Sequence, residues 1–138
     1  MTLALAGFAV ACNDNDIGQS CPELLTDDQR NNLVTVNGDG TATVLETYGT
    51  SVAYPCDELI CVASQGRDGY CTKECRADSS CPNGFSCRSV SAGSFARSLC
   101  TWKQCSKDSD CGDEGKLACR SVANVFPGED FKLCDFKD

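Results

Sequence analysis

Thirteen cysteines and no histidine, in a chain of 138 residues, set the chemistry open to this protein. Cysteines at this density can hold a metal, exchange electrons with other thiols, or close into disulfides. The lack of histidine removes the commonest general base and the commonest metal ligand together. Zinc favours cysteines two to four residues apart, so that both thiolates reach one ion. Here the recurring gap is five residues, as between Cys75 and Cys81 or Cys105 and Cys111, and the longer gaps vary. Variable gaps suit loops between bridges better than ligands around an ion. Cys71-Thr-Lys-Glu-Cys75 places three residues where a redox-active pair has two, so it too reads as structural. No nucleophile–base pair is evident. The sequence therefore reads as non-catalytic, with no metal or cofactor, and as a disulfide scaffold.

An odd cysteine count needs an explanation in a secreted chain. Leu3 to Ala11 is a short apolar run ending in small residues. It is followed by Cys12 and then by Asn13-Asp14-Asn15-Asp16. A membrane-spanning helix needs about 20 apolar residues, so this run is too short for one. It reads as the end of a signal peptide, residues 1–11, with its basic start expected upstream of Met1. Ala9-Val10-Ala11-Cys12 resembles a bacterial lipobox, where a signal peptidase cuts before a lipid-modified cysteine, although Ala9 stands where leucine is favoured. That resemblance implies lipid on Cys12, a membrane partner through that lipid, and a solvated tether over residues 12–19. It also leaves twelve cysteines, enough for six disulfides.

These staples must hold elements that are short. The chain has a single Trp and a single Met, and much of it reads as turn, so a large apolar core is not expected. Residues 20–31 contain a candidate turn of helix, with Thr26 and Gln29 spaced as in a capping box. Asn32–Val36 and Thr41–Glu46 are β-branched runs around Asn37-Gly38-Asp39-Gly40, which predicts a β-hairpin. That turn lacks the alternating oxygen ligands of a calcium loop, because Val36 occupies one of the required positions. The expected class is small and disulfide-rich: short β-hairpins and loops, a segment over 20–55 with a short helix and one N-terminal hairpin, and a cysteine-rich region over 56–138.

The cysteine-rich region repeats itself. Cys75, Cys81, Cys87 and Cys100 follow C-x5-C-x5-C-x12-C, and Cys105, Cys111, Cys119 and Cys134 follow C-x5-C-x7-C-x14-C. Asp78 matches Asp108, Gly84 can be aligned with Gly115, and Cys87-Arg-Ser-Val matches Cys119-Arg-Ser-Val. A repeat at this spacing means two copies of one structural unit, 75–100 and 105–134. Asp78 and Asp108 are expected in equivalent turns, accepting local backbone N–H bonds. Connectivity is not readable from spacing alone. The pattern, however, resembles the N-terminal half of colipase-like and Dickkopf-type modules, in which the first cysteine pairs with the third and the second with the fourth. The resemblance implies Cys75–Cys87 with Cys81–Cys100, and Cys105–Cys119 with Cys111–Cys134. Cys21, Cys56, Cys61 and Cys71 then pair among themselves, in one of three ways. Gly69-Tyr70-Cys71-Thr72 and Cys81-Pro-Asn-Gly-Phe-Ser-Cys87, together with the lipobox, are also similar to cysteine-rich surface lipoproteins of myxobacteria and related Gram-negative bacteria. That similarity implies a cell-envelope location.

A net charge of −8, from 20 acidic and 12 basic residues, makes the chain a poor nucleic-acid binder. The expected role is a binding or structural module at the cell surface, facing a protein or glycan. The stretches Arg88–Leu99 and Arg120–Leu133 differ between units while their ends match, so they read as variable loops on a fixed frame. Phe95, Trp102, Phe126 and Phe131 are the candidate contact residues, each set against a place in a small core. The alternative is a protease inhibitor presenting Arg97 from Ser94-Phe-Ala-Arg-Ser-Leu99 to a trypsin-like pocket.

Overall fold

The computed structural model describes residues 16–21, 24–26, 29, 35–36, 42–43, 46–64, 67–113, 115–122 and 131–137. Its strands are β1 (Thr35–Val36), β2 (Ala42–Thr43), β3 (Glu46–Thr50), β4 (Ile60–Ser64), β5 (Arg67–Thr72), β6 (Phe85–Ala92), β7 (Phe95–Trp102), β8 (Leu117–Ser121) and β9 (Lys132–Phe136). Short 3-10 turns cover Asp78–Ser80 and Asp108–Cys111. Every strand pairing is antiparallel, and the sheets have two or three strands. This is a small, strand-rich, disulfide-rich fold.

The expected N-terminal hairpin is present as β1 against β2, with Thr35 opposite Thr43 and Val36 opposite Ala42. Its turn, Asn37–Gly40, lies outside the described residues. Glu46, expected at the end of that hairpin, instead opens β3, which pairs with β4. The capping box forms: Thr26 N–H donates to Gln29 Oε1 at 2.9 Å and Gln29 N–H to Thr26 Oγ1 at 3.1 Å.

Six disulfides join Cys21–Cys61, Cys56–Cys71, Cys75–Cys87, Cys81–Cys100, Cys105–Cys119 and Cys111–Cys134, with Cα separations from 5.4 to 6.2 Å. Within each successive set of four cysteines the first joins the third and the second joins the fourth. The order holds in the N-terminal set as well as in the two repeats.

That shared order reflects a shared backbone. The third and fourth cysteines of each set face one another across a hairpin: Cys61 and Cys71 across β4–β5, Cys87 and Cys100 across β6–β7, Cys119 and Cys134 across β8–β9. Residues directly opposite in an antiparallel pair project to the same face, and each of these cysteines meets a partner arriving from upstream. The segment leading into the first cysteine lies along the fourth-cysteine strand and forms one isolated bridge: Ser20 with Tyr70, Glu74 with Leu99, Gln104 with Leu133. The hydrogen bonds repeat too. The first cysteine's N–H donates to Gly69, Ser98 or Lys132, and the fourth cysteine's N–H donates to Gln19, Lys73 or Lys103. The chain therefore holds three units of one design, where two were legible in the sequence. The first differs by a long insertion between Cys21 and Cys56 that carries β1, β2 and β3.

This arrangement shortens the expected tether. Ile17 is buried, Gly18 N–H donates to Cys71 O, and Gln19 O accepts from Cys71 N–H, so residues 16–19 belong to the frame. A side chain at Gly18, where φ is +93°, would meet the rings of Trp102 and Phe136 at 2.8–2.9 Å.

The core runs through all three units. Phe85 stacks on Trp102 with centroids 4.0 Å apart, Tyr70 lies 6.2 Å from Trp102, and Phe136 meets Trp102 edge-on at 5.1 Å. Val62, Val90 and Leu99 fill the space between hairpins and are buried. Gly84 adopts φ +88°, and a Cβ there would come within 2.9 Å of Leu117 Cδ1, so it marks where the second unit closes on the third. The expected alignment of Gly84 with Gly115 is not kept. Lys103 N–H donates to Gly84 O and Lys137 N–H to Lys116 O, which makes Lys116 the counterpart of Gly84.

Candidate functional site

Each unit is built around two disulfides in contact. The sulfurs of Cys21, Cys56 and Cys71 lie within 4.8 Å of one another, as do those of Cys75, Cys81 and Cys100, and those of Cys105, Cys111 and Cys134. Thiolates so placed could share a metal ion, but every one of these sulfurs is bonded to another. In the second and third units the link between first and second cysteines is a 3-10 turn opened by aspartate. Asp78 Oδ1 accepts the Cys87 N–H at 2.8 Å, and Asp108 Oδ1 accepts the Cys119 N–H at 2.8 Å. A short carboxylate thus ties the turn to the third-cysteine strand. In the third unit, Asp110 also accepts N–H bonds from Ser106 and Lys107, which holds its carboxyl below the ordinary range.

The first of the stretches read as variable loops is mostly strand. Arg88–Leu99 forms the arms of the β6–β7 hairpin, turning at Gly93 and Ser94. Arg120–Leu133 begins in β8 and ends in β9, and residues 123–130 between them lie outside the description. Backbone hydrogen bonds thus fix the first stretch where a free loop was expected.

The candidate contact residues separate accordingly. Trp102 and Phe131 are buried core residues, which corrects their reading as contacts. The side chain at 102 is closed in by Tyr70, Phe85 and Phe136, the local-core role weighed against binding. Phe95 is 74% exposed at the start of β7. Phe126 and Cys12 lie outside the described residues. Arg97 sits within β7 opposite Val90, its guanidinium 5.5 Å from the centre of the Tyr48 ring and 3.6 Å from Glu74 Oε1.

The insertion of the first unit makes a further contact, one that sequence reasoning misses. β3 packs on β6, with Glu46 paired to Arg88 and Tyr48 beneath Arg97. Burial pushes the Glu46 carboxyl up, partly offset by the Arg88 charge. A signal existed only in the Tyr48 and Glu46 alternation along β3, and the partner of Glu46 lies 42 residues downstream. Val52 and Leu59, on the loop that follows β3, are exposed apolar residues that were also missed. Between the second and third units lies an open cleft of about 400 Å³, lined by Asp78, Asn83, Ser86, Lys103 and Gly112. Its lining is polar and already partly used, because Asp78 holds the Cys87 N–H.

Comparison with protein-family models, curated proteins and solved structures finds no match for this chain.

Proposed function

We propose that the chain is a non-catalytic cell-envelope lipoprotein, held to a membrane by lipid on Cys12 and acting as a surface binding or structural module. The observation that carries this reading is the use of cysteine. Twelve of the thirteen close into six bridges among themselves, and Cys12 is left over, directly after an apolar run that ends in small residues. Six disulfides in one small chain fit an extracytoplasmic, oxidising location. Among the described residues no helix is long and apolar enough to cross a membrane, and lipid on Cys12 supplies an attachment that needs none. Rigid hairpins lower the ordering cost of binding, which suits presentation of a fixed surface to a protein or glycan.

The inhibitor alternative gains less support. A reactive arginine must enter a protease pocket from a protruding segment. Arg97 is held in a paired strand with its side chain against Tyr48 and Glu74.

Intact-mass spectrometry of the native protein extracted from membranes tests the proposal. The expected species begins at Cys12, carries the mass of a diacylglyceryl group with or without a third acyl chain, and has no free thiol. A lipid-free mass, or a chain that retains residues 1–11, contradicts it.

A further inference from the structure

The described chain begins at one end of the frame, and that end is apolar. Asp16 accepts the Asp57 N–H through its carboxylate, so the first described residue lies against the loop joining β3 to β4. That loop, Ser51–Leu59, is fixed by the Cys56–Cys71 bridge and by Ser51 N–H donating to Leu59 O. At its tip Val52 is 89% exposed.

The tip of the β6–β7 hairpin points the same way. Along β3 the order Glu46, Tyr48 matches the order Arg88, Val90 along β6: Glu46 pairs with Arg88, and Tyr48 lies under Arg97, the register partner of Val90. The strands run in one sense, so the loop after Thr50 and the hairpin tip after Ala92 leave the frame at one end. Of the four large apolar side chains exposed among the described residues, Val52, Phe95 and Leu59 belong to this end.

Leu59 gives an independent sign. It stands two residues before a third cysteine, as Phe85 and Leu117 do in the other units. Phe85 and Leu117 are buried, whereas Leu59 is 38% exposed and holds φ +59°. Positive φ is strained for a bulky residue, and such strain gathers at sites that use it. Here it turns outward a leucine that the unit design elsewhere buries.

We propose that this end of the molecule is a foot that rests on a zwitterionic lipid surface, with Val52 and Phe95 entering the interface. This rests on the lipid-anchored reading of Cys12. Only Asn13, Asp14 and Asn15 separate Cys12 from Asp16. Four residue steps span at most about 14 Å. An anchor so short brings the Asp16 end of the frame down to the membrane. Ser109 of the third unit lies near the end of β6 opposite its tip: Ser109 O accepts the Gly112 N–H, and Gly112 packs on Asn83, just before β6. Exposed Asp57 and Glu58 beside the tip oppose an anionic surface, which selects the zwitterionic one.

The test places tryptophan at the foot of the native, lipid-bearing protein. Val52→Trp, Phe95→Trp and, at an exposed site in the third unit, Ser109→Trp are each reconstituted in phosphatidylcholine vesicles with brominated acyl chains. The buried Trp102 of the parent protein supplies the background. Intact mass is recorded for every sample. Lipid present, with quenching at positions 52 and 95 at least three-fold greater than at 109, supports the foot. Lipid present with no quenching at 52 and 95, or with equal quenching at 109, overturns it and leaves the lipoprotein reading standing. A lipid-free mass overturns the lipoprotein reading itself, and the foot with it.

Discussion

Asp78 and Asp108 do the same work in two units, each accepting the N–H of the third cysteine. A backbone hydrogen bond to a carboxylate is worth about 1.5–3 kcal/mol, reduced here by exposure of the turn. Asp78→Ala should therefore lower stability to guanidine unfolding of the oxidised protein by about 1 kcal/mol. Asp78→Asn, which keeps an acceptor, should lose clearly less. Equal losses would show that the bond is not what the residue supplies. Glu46 makes a prediction of the opposite kind. Burial raises its pKa above the ordinary value of 4.5. The folded state therefore binds this proton more tightly than the unfolded chain, and the site's contribution to stability is greatest below that range. It declines as pH rises through the ordinary value towards the raised one. Glu46→Gln cannot ionise. The stability of the wild type relative to Glu46→Gln should then fall as pH is raised from about 4 to 7, read from unfolding midpoints. A flat difference would mean that ionised Glu46 is not penalised by burial.

At the scale of elements, the glycines before and at the turn of the β6–β7 hairpin make a direct comparison. Gly84 has φ +88° and Leu117 Cδ1 within 2.9 Å of where a Cβ would sit, whereas Gly93 has φ +64° and nothing within 4 Å. Gly93→Ala should cost about 1 kcal/mol, the strain of a left-handed alanine. Gly84→Ala adds overpacking between two units and should cost about 2–4 kcal/mol. Equal costs would mean that the junction gives way freely. The hairpins also show what could be read in advance. Cys87-Arg-Ser-Val and Cys119-Arg-Ser-Val announced the second and third units because both lack long insertions. The first unit stayed hidden. Between Cys21 and Cys56 it holds β1, β2 and β3, and after Cys61 it has Val-Ala-Ser where the others have Arg-Ser-Val. The fainter shared sign was Cys71-Thr72 and Cys100-Thr101, whose threonines are both buried where one unit passes into the next. Trp102 and Phe131 could not be assigned to core or surface, because in so small a domain an aromatic residue serves either, and only the packing around Tyr70 and Leu133 decides. The pairing of Glu46 with Arg88 of β6 and of Tyr48 with Arg97 of β7 was equally unreadable, since it depends on how two hairpins cross in space.

For the molecule as a whole, stability is shared between a narrow core and the staples. A disulfide contributes typically about 2–4 kcal/mol by restricting the unfolded chain, with slow growth in loop length. The Cys21–Cys61 bridge closes the widest loop, with a separation of 40 residues, and it ties the insertion to the rest of its unit. Three units of one design, joined head to tail through Lys73–Cys75 and Lys103–Cys105, form a continuous frame whose first member has been enlarged. The measurement that bears most directly on this is disulfide mapping of the native, unreduced protein by proteolysis and mass spectrometry. Cleavage between cysteines should release peptides linked as Cys21–Cys61 and Cys56–Cys71, alongside Cys75–Cys87, Cys81–Cys100, Cys105–Cys119 and Cys111–Cys134. Neighbour links such as Cys21–Cys56 with Cys61–Cys71, or Cys75–Cys81 with Cys87–Cys100, would show that the three units do not share one design.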